Sequence, residues 1–297
     1  MDNNKLFLNN LKPVSVIITV KNEADQIKPL LDSLFSQTYK PYEIIIVDGG
    51  SSDGTAEIVR KYVDQGAQIR LIISPGSNIA QGRNIGISNS LTDYIACTDA
   101  GVVPDRNWLA NLMRRFDGKT DVVSGVYLPL CNSTFQECIA ELLCPRIEDL
   151  NDSFLPSSRS IAFKKSAWVE VGGYPEDIKY AEDTLFDIKL KEKGYKFTLA
   201  KDAVVYWKLR TNLASLFLQY FWYAYYETKS GLIFRLSKYR SSQIIQPTIR
   251  YFNSIWRICK TQGYRFGMVS LLILLTFYLS TFCGFILGFV TRVLLHK

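Results

Sequence analysis

The sequence predicts an α/β fold with a mainly parallel central sheet, followed by interfacial helices and one C-terminal transmembrane helix. Three observations predict it. In the first two hundred residues, β-branched runs alternate with helical patterns. Two acids, Asp48 and Asp99, directly follow two of those runs. Residues 268–290 carry no formal charge, and 23 such residues make about 34 Å of helix, enough for a bilayer core.

Residues 14–20, VSVIITV, form a nearly continuous β-branched run, the composition of a strand buried on both faces. Ile27, Leu30, Leu31, Leu34 and Phe35 then recur at helical spacing. Residues 43–47 read as a second buried strand, 55–65 as a second helix, and 69–73 as a third strand. A strand over 94–98 and a helix over 107–116 continue the alternation. In parallel sheets ligands bind beyond the carboxyl ends of the strands. Asp48 and Asp99 are therefore expected on one binding edge.

The rear differs in kind. Residues 201–297 hold 13 Lys or Arg against two acids, Asp202 and Glu227, so the basic excess of the whole chain, +7, lies entirely there. The aromatic-rich stretch 213–226 comes first, then Lys229, Arg235, Lys238, Arg240, Arg250, Arg257, Lys260 and Arg265. Rings and basic groups together suit helices in the headgroup layer of an anionic lipid surface, although an ordinary packed helix fits 213–226 as well. No groove-binding motif accompanies the charge, so nucleic acid is not an expected partner. The chain divides by composition into an α/β domain (1–205), a basic, aromatic-rich helical region (206–265), and a membrane helix with a short tail (266–297). The first dozen residues lack a secretory pattern, and the basic excess precedes the apolar run, so the α/β domain is expected in the cytosol and the tail outside.

The six cysteines, at 97, 131, 138, 144, 259 and 283, show no zinc-like spacing and read as reduced thiols. The single histidine is His296. A general base is therefore expected to be a carboxylate, with Lys, Tyr or Cys behind it.

VSVIITVKNE (14–23) followed by IIVDGGSSDGT (45–55) resembles the opening of family 2 glycosyltransferases with the GT-A fold. GRN (82–84), CTDAG (97–101), VGGYP (171–175) and AED (181–183) extend the resemblance over residues 12–210. It implies an inverting, nucleotide-sugar-dependent enzyme. It further implies that Asp48 accepts a hydrogen bond from the nucleobase, with Thr19 and Arg83 beside it in the base and ribose pocket. From the residues alone, Asp48 could instead cap the next helix, although Asp53 fits that role better. Glu23 could reach the ribose or serve as a first-turn acid.

Where the family has an Asp-x-Asp segment for a divalent cation, this chain has Asp99-Ala100-Gly101. Asp99 could bind Mg2+ or Mn2+ alone, act through water, hold the ribose, or cap a turn, while Arg159 or Arg210 take up phosphate charge. Glu182 and Asp183 alone would read as helix-capping acids. The resemblance makes Asp183 the general base and Glu182 its orienting partner. The membrane helix suggests a lipid-linked acceptor, with a glycan acceptor as the alternative. Transfer to polyprenyl phosphate is a close rival. A non-catalytic nucleotide-binding partner of a membrane enzyme is a rival of another class, suggested by Gly101.

Overall fold

A computed structural model describes residues 12–151, 154–233, 235, 251, 254–257, 260 and 263–295. It divides into two compact units, Met1–Leu128 with Ile147–Trp207, and Pro129–Arg146 with Lys208–Lys297.

The first unit is built on a sheet. β1 (Val14–Val20), β2 (Glu43–Asp48), β3 (Ile69–Ile73) and β4 (Tyr94–Asp99) alternate with α1 (Ala24–Phe35), α2 (Thr55–Asp64) and α3 (Ile79–Ser88). Parallel neighbours need such crossovers, and β2 and β4 both pair parallel with β1, as β3 does with β2. β5 (Val102–Pro104), α4 (Trp108–Met113) and β6 (Val122–Leu130) follow; α5 (Thr134–Leu143) belongs to the second unit. β7 (Ile161–Lys164), α6 (Lys165–Glu170), α7 (Glu182–Glu192) and β8 (Phe197–Lys208) complete the sheet, whose strand order is β3-β2-β1-β4-β7-β6-β8-β5. β7 runs antiparallel to β4 and to β6, and β5 antiparallel to β8, so the parallel half continues into a mixed sheet.

β1 shows why the central strands are apolar on both faces. Val14, Val16 and Ile18 pack with Ile27, Leu31 and Leu34 of α1 and with Trp108 of α4. Ile17 joins the opposite cluster, with Ala80 and Ile87 of α3 and Phe186 and Leu190 of α7. The alternation of a pleated strand therefore feeds two cores.

In the second unit, α5 is joined by α8 (Leu213–Lys229) and α9 (Tyr264–Leu295). Asn212 caps α8 by accepting from Ser215 N at 2.9 Å. Glu141 of α5 accepts from Arg146 at 2.6 Å, from Ser254 at 3.2 Å, and from Arg257. α9 is 32 residues long, and its mean hydropathy reaches 2.1, long and apolar enough to cross a membrane. Lys238, Arg240, Arg250, Cys259, His296 and Lys297 lie outside the described residues.

Candidate active site

The register of three strands sets the site. Thr19 of β1 pairs with Asp99 of β4, and Val20 pairs with Asp48 of β2. All three polar residues thus stand at the carboxyl edge, as the strand pattern predicts.

Asp48 opens the turn into α2. Its Oδ1 accepts from Gly50 N at 2.9 Å and Ser51 N at 2.6 Å, an Asx turn that Gly50 allows with φ of 90°. Its other oxygen, Oδ2, is buried with no partner, as is Thr19 Oγ1. A buried acceptor left unpaired costs about 1–3 kcal/mol, which a ligand N–H would relieve. Asp53, in contrast, is consumed by structure: Oδ1 accepts from Thr55 N and Oγ1, and Oδ2 from Ala24 N. Glu23 stands at the start of α1, where its own N–H donates to Thr55 Oγ1 at 2.8 Å. Asn22 and Ser51 complete the stitching of the two loops, Asn22 N donating to Ser51 Oγ and Asn22 Oδ1 accepting from Ser52 N.

Arg83, expected with Thr19 in the base and ribose pocket, is 2% exposed, with Nη1 donating to Glu182 Oε1 at 2.5 Å and Nη2 to Asp99 Oδ1 at 2.9 Å. The cause is local. Gly82 brings α3 against β1, where a Cβ would sit 2.8 Å from Thr19 Cγ2, and the next residue is aimed inward. Burial disfavours the Arg83 charge, but Asp99 and Glu182 outweigh it and hold the guanidinium protonated. Its charge centre also lies 5.3 Å from the Tyr174 ring.

Arg83 thereby joins the strand edge to the acidic start of α7. Burial pushes the Glu182 carboxyl up to about 7, Asp183 adds to the rise, and Arg83 opposes it. Asp183 Oδ2 accepts from Ser157 Oγ at 3.2 Å and Ser158 N at 3.3 Å, while Oδ1 accepts from Thr184 N at 2.8 Å. Just before the pair, Ala181 has φ of 64°, a left-handed conformation that costs a non-glycine residue about 1–3 kcal/mol. Packing around α7 sustains that strain at the point where both acids are presented.

Arg159 reaches this group through Ser157, whose Oγ accepts from Arg159 Nη1 at 3.0 Å. Its guanidinium stacks 4.5 Å from the Trp207 ring centre. Arg210 belongs to the second unit, where Nε donates to Gln219 Oε1 at 2.7 Å.

Sequence reasoning missed the supports. Asn84 Nδ2 donates to Tyr174 O and to Glu176 Oε1, and Asn84 Oδ1 accepts from Tyr174 N and Trp168 Nε1. The GRN and VGGYP segments thus meet, with Tyr174 stacked 4.1 Å from Phe186 of α7. Asp187 was also missed: both its oxygens are buried without a partner, and burial first, then Asp183, holds its carboxyl well above the usual range. A charged residue between Phe186 and Ile188 was the available signal. Cys97 is inert, its thiol pushed up to about 12 by burial.

Among the described residues no cluster of three or more His, Cys, Asp or Glu could hold a metal ion. Asp99 offers hard oxygen at the strand edge, with 22% of its side chain exposed and Oδ1 taken by Arg83. A Cβ at Gly101 would meet nothing within 4 Å. One carboxylate beside open space fits a cation whose other ligands are phosphate oxygens and water, not a cage made of protein alone.

The glycosyl transferase family 2 profile matches residues 15–138. Glycosyltransferase AglE of Haloferax volcanii is 30% identical over 206 residues, covering 64% of this chain and 65% of that protein. The poly-beta-1,6-N-acetyl-D-glucosamine synthase of Staphylococcus aureus is 25% identical over 71% of this chain and 54% of its own length. The chain thus spans less than two thirds of each relative. Among solved structures, the Pyrobaculum calidifontis mannosyltransferase PcManGT, in complex with GDP-Man and Mn2+, matches with a TM-score of 0.64 at 18% identity, covering 99% of this chain and 93% of that one. S. aureus TarS 1–349 with UDP-GlcNAc matches at 0.55 and 16% identity, over 95% and 92%. At such identities the likeness concerns the fold. Profile, relatives and fold agree: residues 15–138 match the glycosyl transferase family 2 domain, and the sheet resembles that of GT-A glycosyltransferases.

Proposed function

We propose that the chain is an inverting glycosyltransferase, moving a sugar from a nucleoside-diphosphate sugar to the hydroxyl of a lipid-linked acceptor at the cytosolic membrane face. The observation that carries the reading is the double ion pair of Arg83, which ties strand-edge Asp99 to Glu182 beside Asp183. Donor-side and acceptor-side carboxylates so linked keep their spacing during a displacement. Asp48 Oδ2 would accept from the base N–H, with Thr19 beside it, and Glu23 would meet the ribose. The glycosyltransferase relatives and the GDP-Man and UDP-GlcNAc complexes of fold neighbours support this.

Asp99 would hold a divalent cation, Mg2+ or Mn2+, as the Mn2+ of PcManGT suggests. When bound, such a cation neutralises charge on the departing diphosphate. Arg159 and Arg210 are the candidate arginines for the same charge. Asp183 takes the proton of the acceptor hydroxyl, whose oxygen attacks the anomeric carbon opposite the diphosphate. The bond to the diphosphate breaks as the new glycosidic bond forms, and the configuration inverts. Glu182 orients this exchange. The acceptor and the membrane face are supported by the apolar α9 and by the basic excess before it.

Asp183→Asn keeps shape and removes proton acceptance. Turnover should fall on the order of a hundredfold or more with donor affinity unchanged. Wild-type turnover in that variant would sink the assignment.

A further inference from the structure

We propose that Ser157 is a positioning residue that guards the base. Its hydroxyl holds the place on Asp183 Oδ2 that an acceptor hydroxyl must take, and so keeps water from giving up a proton there before an acceptor arrives. This rests on the assignment of Asp183 as the base in the reading above.

The hydrogen bonds of one carboxylate carry it. An ionised carboxylate has about four acceptor positions, and among the described residues Asp183 meets four donors. Oδ1 accepts from Thr184 N at 2.8 Å and Thr184 Oγ1 at 3.4 Å. Oδ2 accepts from Ser157 Oγ at 3.2 Å and Ser158 N at 3.3 Å. A base needs an open lone pair within reach of the proton it takes. Oδ1 is turned toward the first turn of its own helix, since both its donors belong to the next residue. Oδ2 is the oxygen turned away from that helix, and one of its two donors has to leave before it can accept a new proton.

The two donors differ in how readily they leave. Ser158 N is fixed by its surroundings: Ser158 is buried, and its hydroxyl meets Tyr174 OH at 2.9 Å. Ser160 N closes the turn by donating to Ser157 O at 2.9 Å, and Ser160 is held in turn by Gly125 N on its carbonyl and Trp108 Nε1 on its hydroxyl. The Ser157 hydroxyl is freer. Its bond to Asp183 is longer than the roughly 2.7–2.8 Å usual for a hydroxyl donor on oxygen, and a serine hydrogen rotates to suit its partners.

The far side of Ser157 fixes what remains when that hydrogen turns away. Arg159 Nη1 donates to Ser157 Oγ at 3.0 Å, while the Arg159 guanidinium stacks 4.5 Å from the Trp207 ring centre and lies 5.8 Å from that of Tyr127. The oxygen therefore stays anchored on Arg159. The backbone N–H groups of Ser158 and Thr184 keep the carboxylate oriented, so the hydroxyl is not needed for orientation. Without the guard, water takes its place: it gives a proton to Oδ2 and its oxygen bonds to the anomeric carbon. The bond to the diphosphate breaks with its electron pair leaving on the diphosphate, and free sugar and nucleoside diphosphate are released. Suppressing that hydrolysis is what a guard contributes.

The test incubates the full chain and Mn2+ with UDP-GlcNAc or GDP-Man, the donors seen in fold neighbours, without added acceptor. Release of nucleoside diphosphate is followed for wild type, Ser157→Ala, Ser157→Thr, and Ser157→Ala combined with Asp183→Asn. Ser157→Ala should hydrolyse at least one donor about tenfold faster than wild type, the worth of one modest hydrogen bond to a charged group. Ser157→Thr, which restores a hydroxyl, should return to the wild-type rate, and Asp183→Asn should remove the gain. A Ser157→Ala rate at or below wild type on both donors, in protein that melts as wild type does, would overturn the proposal. So would a gain that survives Asp183→Asn, because the opened oxygen would not be its route. If alanine prevents folding, Ser157→Cys, with a weak thiol donor, carries the same expectations. Sugar transfer from the same donors to extracted membrane lipid reads the proposed activity separately. Its absence alongside the Ser157→Ala gain would count against the lipid acceptor and leave the guard standing.

Discussion

The two ends of the central sheet treat their buried polar groups in opposite ways. At the amino ends of the strands, Ser15 Oγ donates to Glu43 Oε1 at 2.8 Å, Leu91 N donates to the same oxygen at 2.7 Å, and Arg70 Nη2 donates to Oε2 at 2.8 Å. Thr92 Oγ1 meets Ser15 twice, accepting from its N–H and sharing a 2.8 Å contact with its hydroxyl. At the carboxyl ends of the same strands, Thr19 Oγ1, Thr98 Oγ1 and Asp48 Oδ2 are buried with no partner. Burying a polar group is tolerable only when it is paired. β1 and β2 supply both Ser15 and Glu43 at one end and Thr19 and Asp48 at the other, so the chain is able to pair such groups. The unpaired end is the one shaped for something else to complete it.

The largest effect that would break this contrast is on metal. If a cation completes the site at Asp99, excess chelator should abolish transfer, and Mg2+ or Mn2+ should restore it. Full activity in chelator would instead assign the diphosphate charge to Arg and Lys. Gly101→Asp sharpens the point, because a Cβ there meets nothing within 4 Å. Half-maximal activity should then need about tenfold less metal, in line with the 10- to 100-fold that supporting residues contribute at metal sites. An unchanged metal requirement would mean that the open space beside Gly101 faces away from the cation.

The unsatisfied end was legible in outline. Continuous β-branched runs mark strands buried on both faces, and an acid directly after such a run must stand at the carboxyl edge, so Asp48 and Asp99 could be located from spacing. The links among those residues were not legible. Arg83 reaches Glu182 across 99 positions and Ser157 reaches Asp183 across 26, and neither contact leaves a local pattern. The resemblance put Arg83 near the base and ribose pocket, but its motif names no partner for the guanidinium. Gly82, which turns it inward, was read as part of the motif rather than as a close approach to Thr19. In the second unit, the uncharged run announced α9, but the four-residue spacing of Gly284 and Gly288 was the unread sign that α8 packs along it.

A smaller effect separates the two ends directly. Asp48→Asn keeps the Asx turn through Oδ1 and places an N–H donor where Oδ2 would accept from a base. Donor affinity should fall about 10- to 100-fold, the worth of one hydrogen bond to a charged group at roughly 1.5–3 kcal/mol, with little change in melting temperature. Glu43→Gln should behave in the reverse way. It disturbs the bonds to Ser15, Leu91 and Arg70 and should lower stability by about 1–3 kcal/mol while leaving donor affinity alone. Isothermal titration and thermal melts of the two variants would collapse the contrast if Glu43→Gln weakened donor binding or Asp48→Asn did not.

The smallest effect concerns Glu182 and is read from stability against pH. Burial raises its carboxyl to about 7 in the folded chain, from 4.5. Between those values the native state binds more protons than the unfolded state at this position, so its contribution to stability is present at low pH and is lost as pH rises toward 7. This is opposite in sign to a surface carboxylate in an ion pair. Glu182→Gln cannot titrate and still offers Oε1 to Arg83. The difference in melting temperature, wild type minus variant, should therefore decrease from pH 5 to pH 8 and flatten above it. A difference that grows with pH would mean that the Arg83 pair, not burial, governs Glu182. The acid beside Asp183 would then be a permanently charged strut, and the protonation of the acidic pair would have to be reassigned.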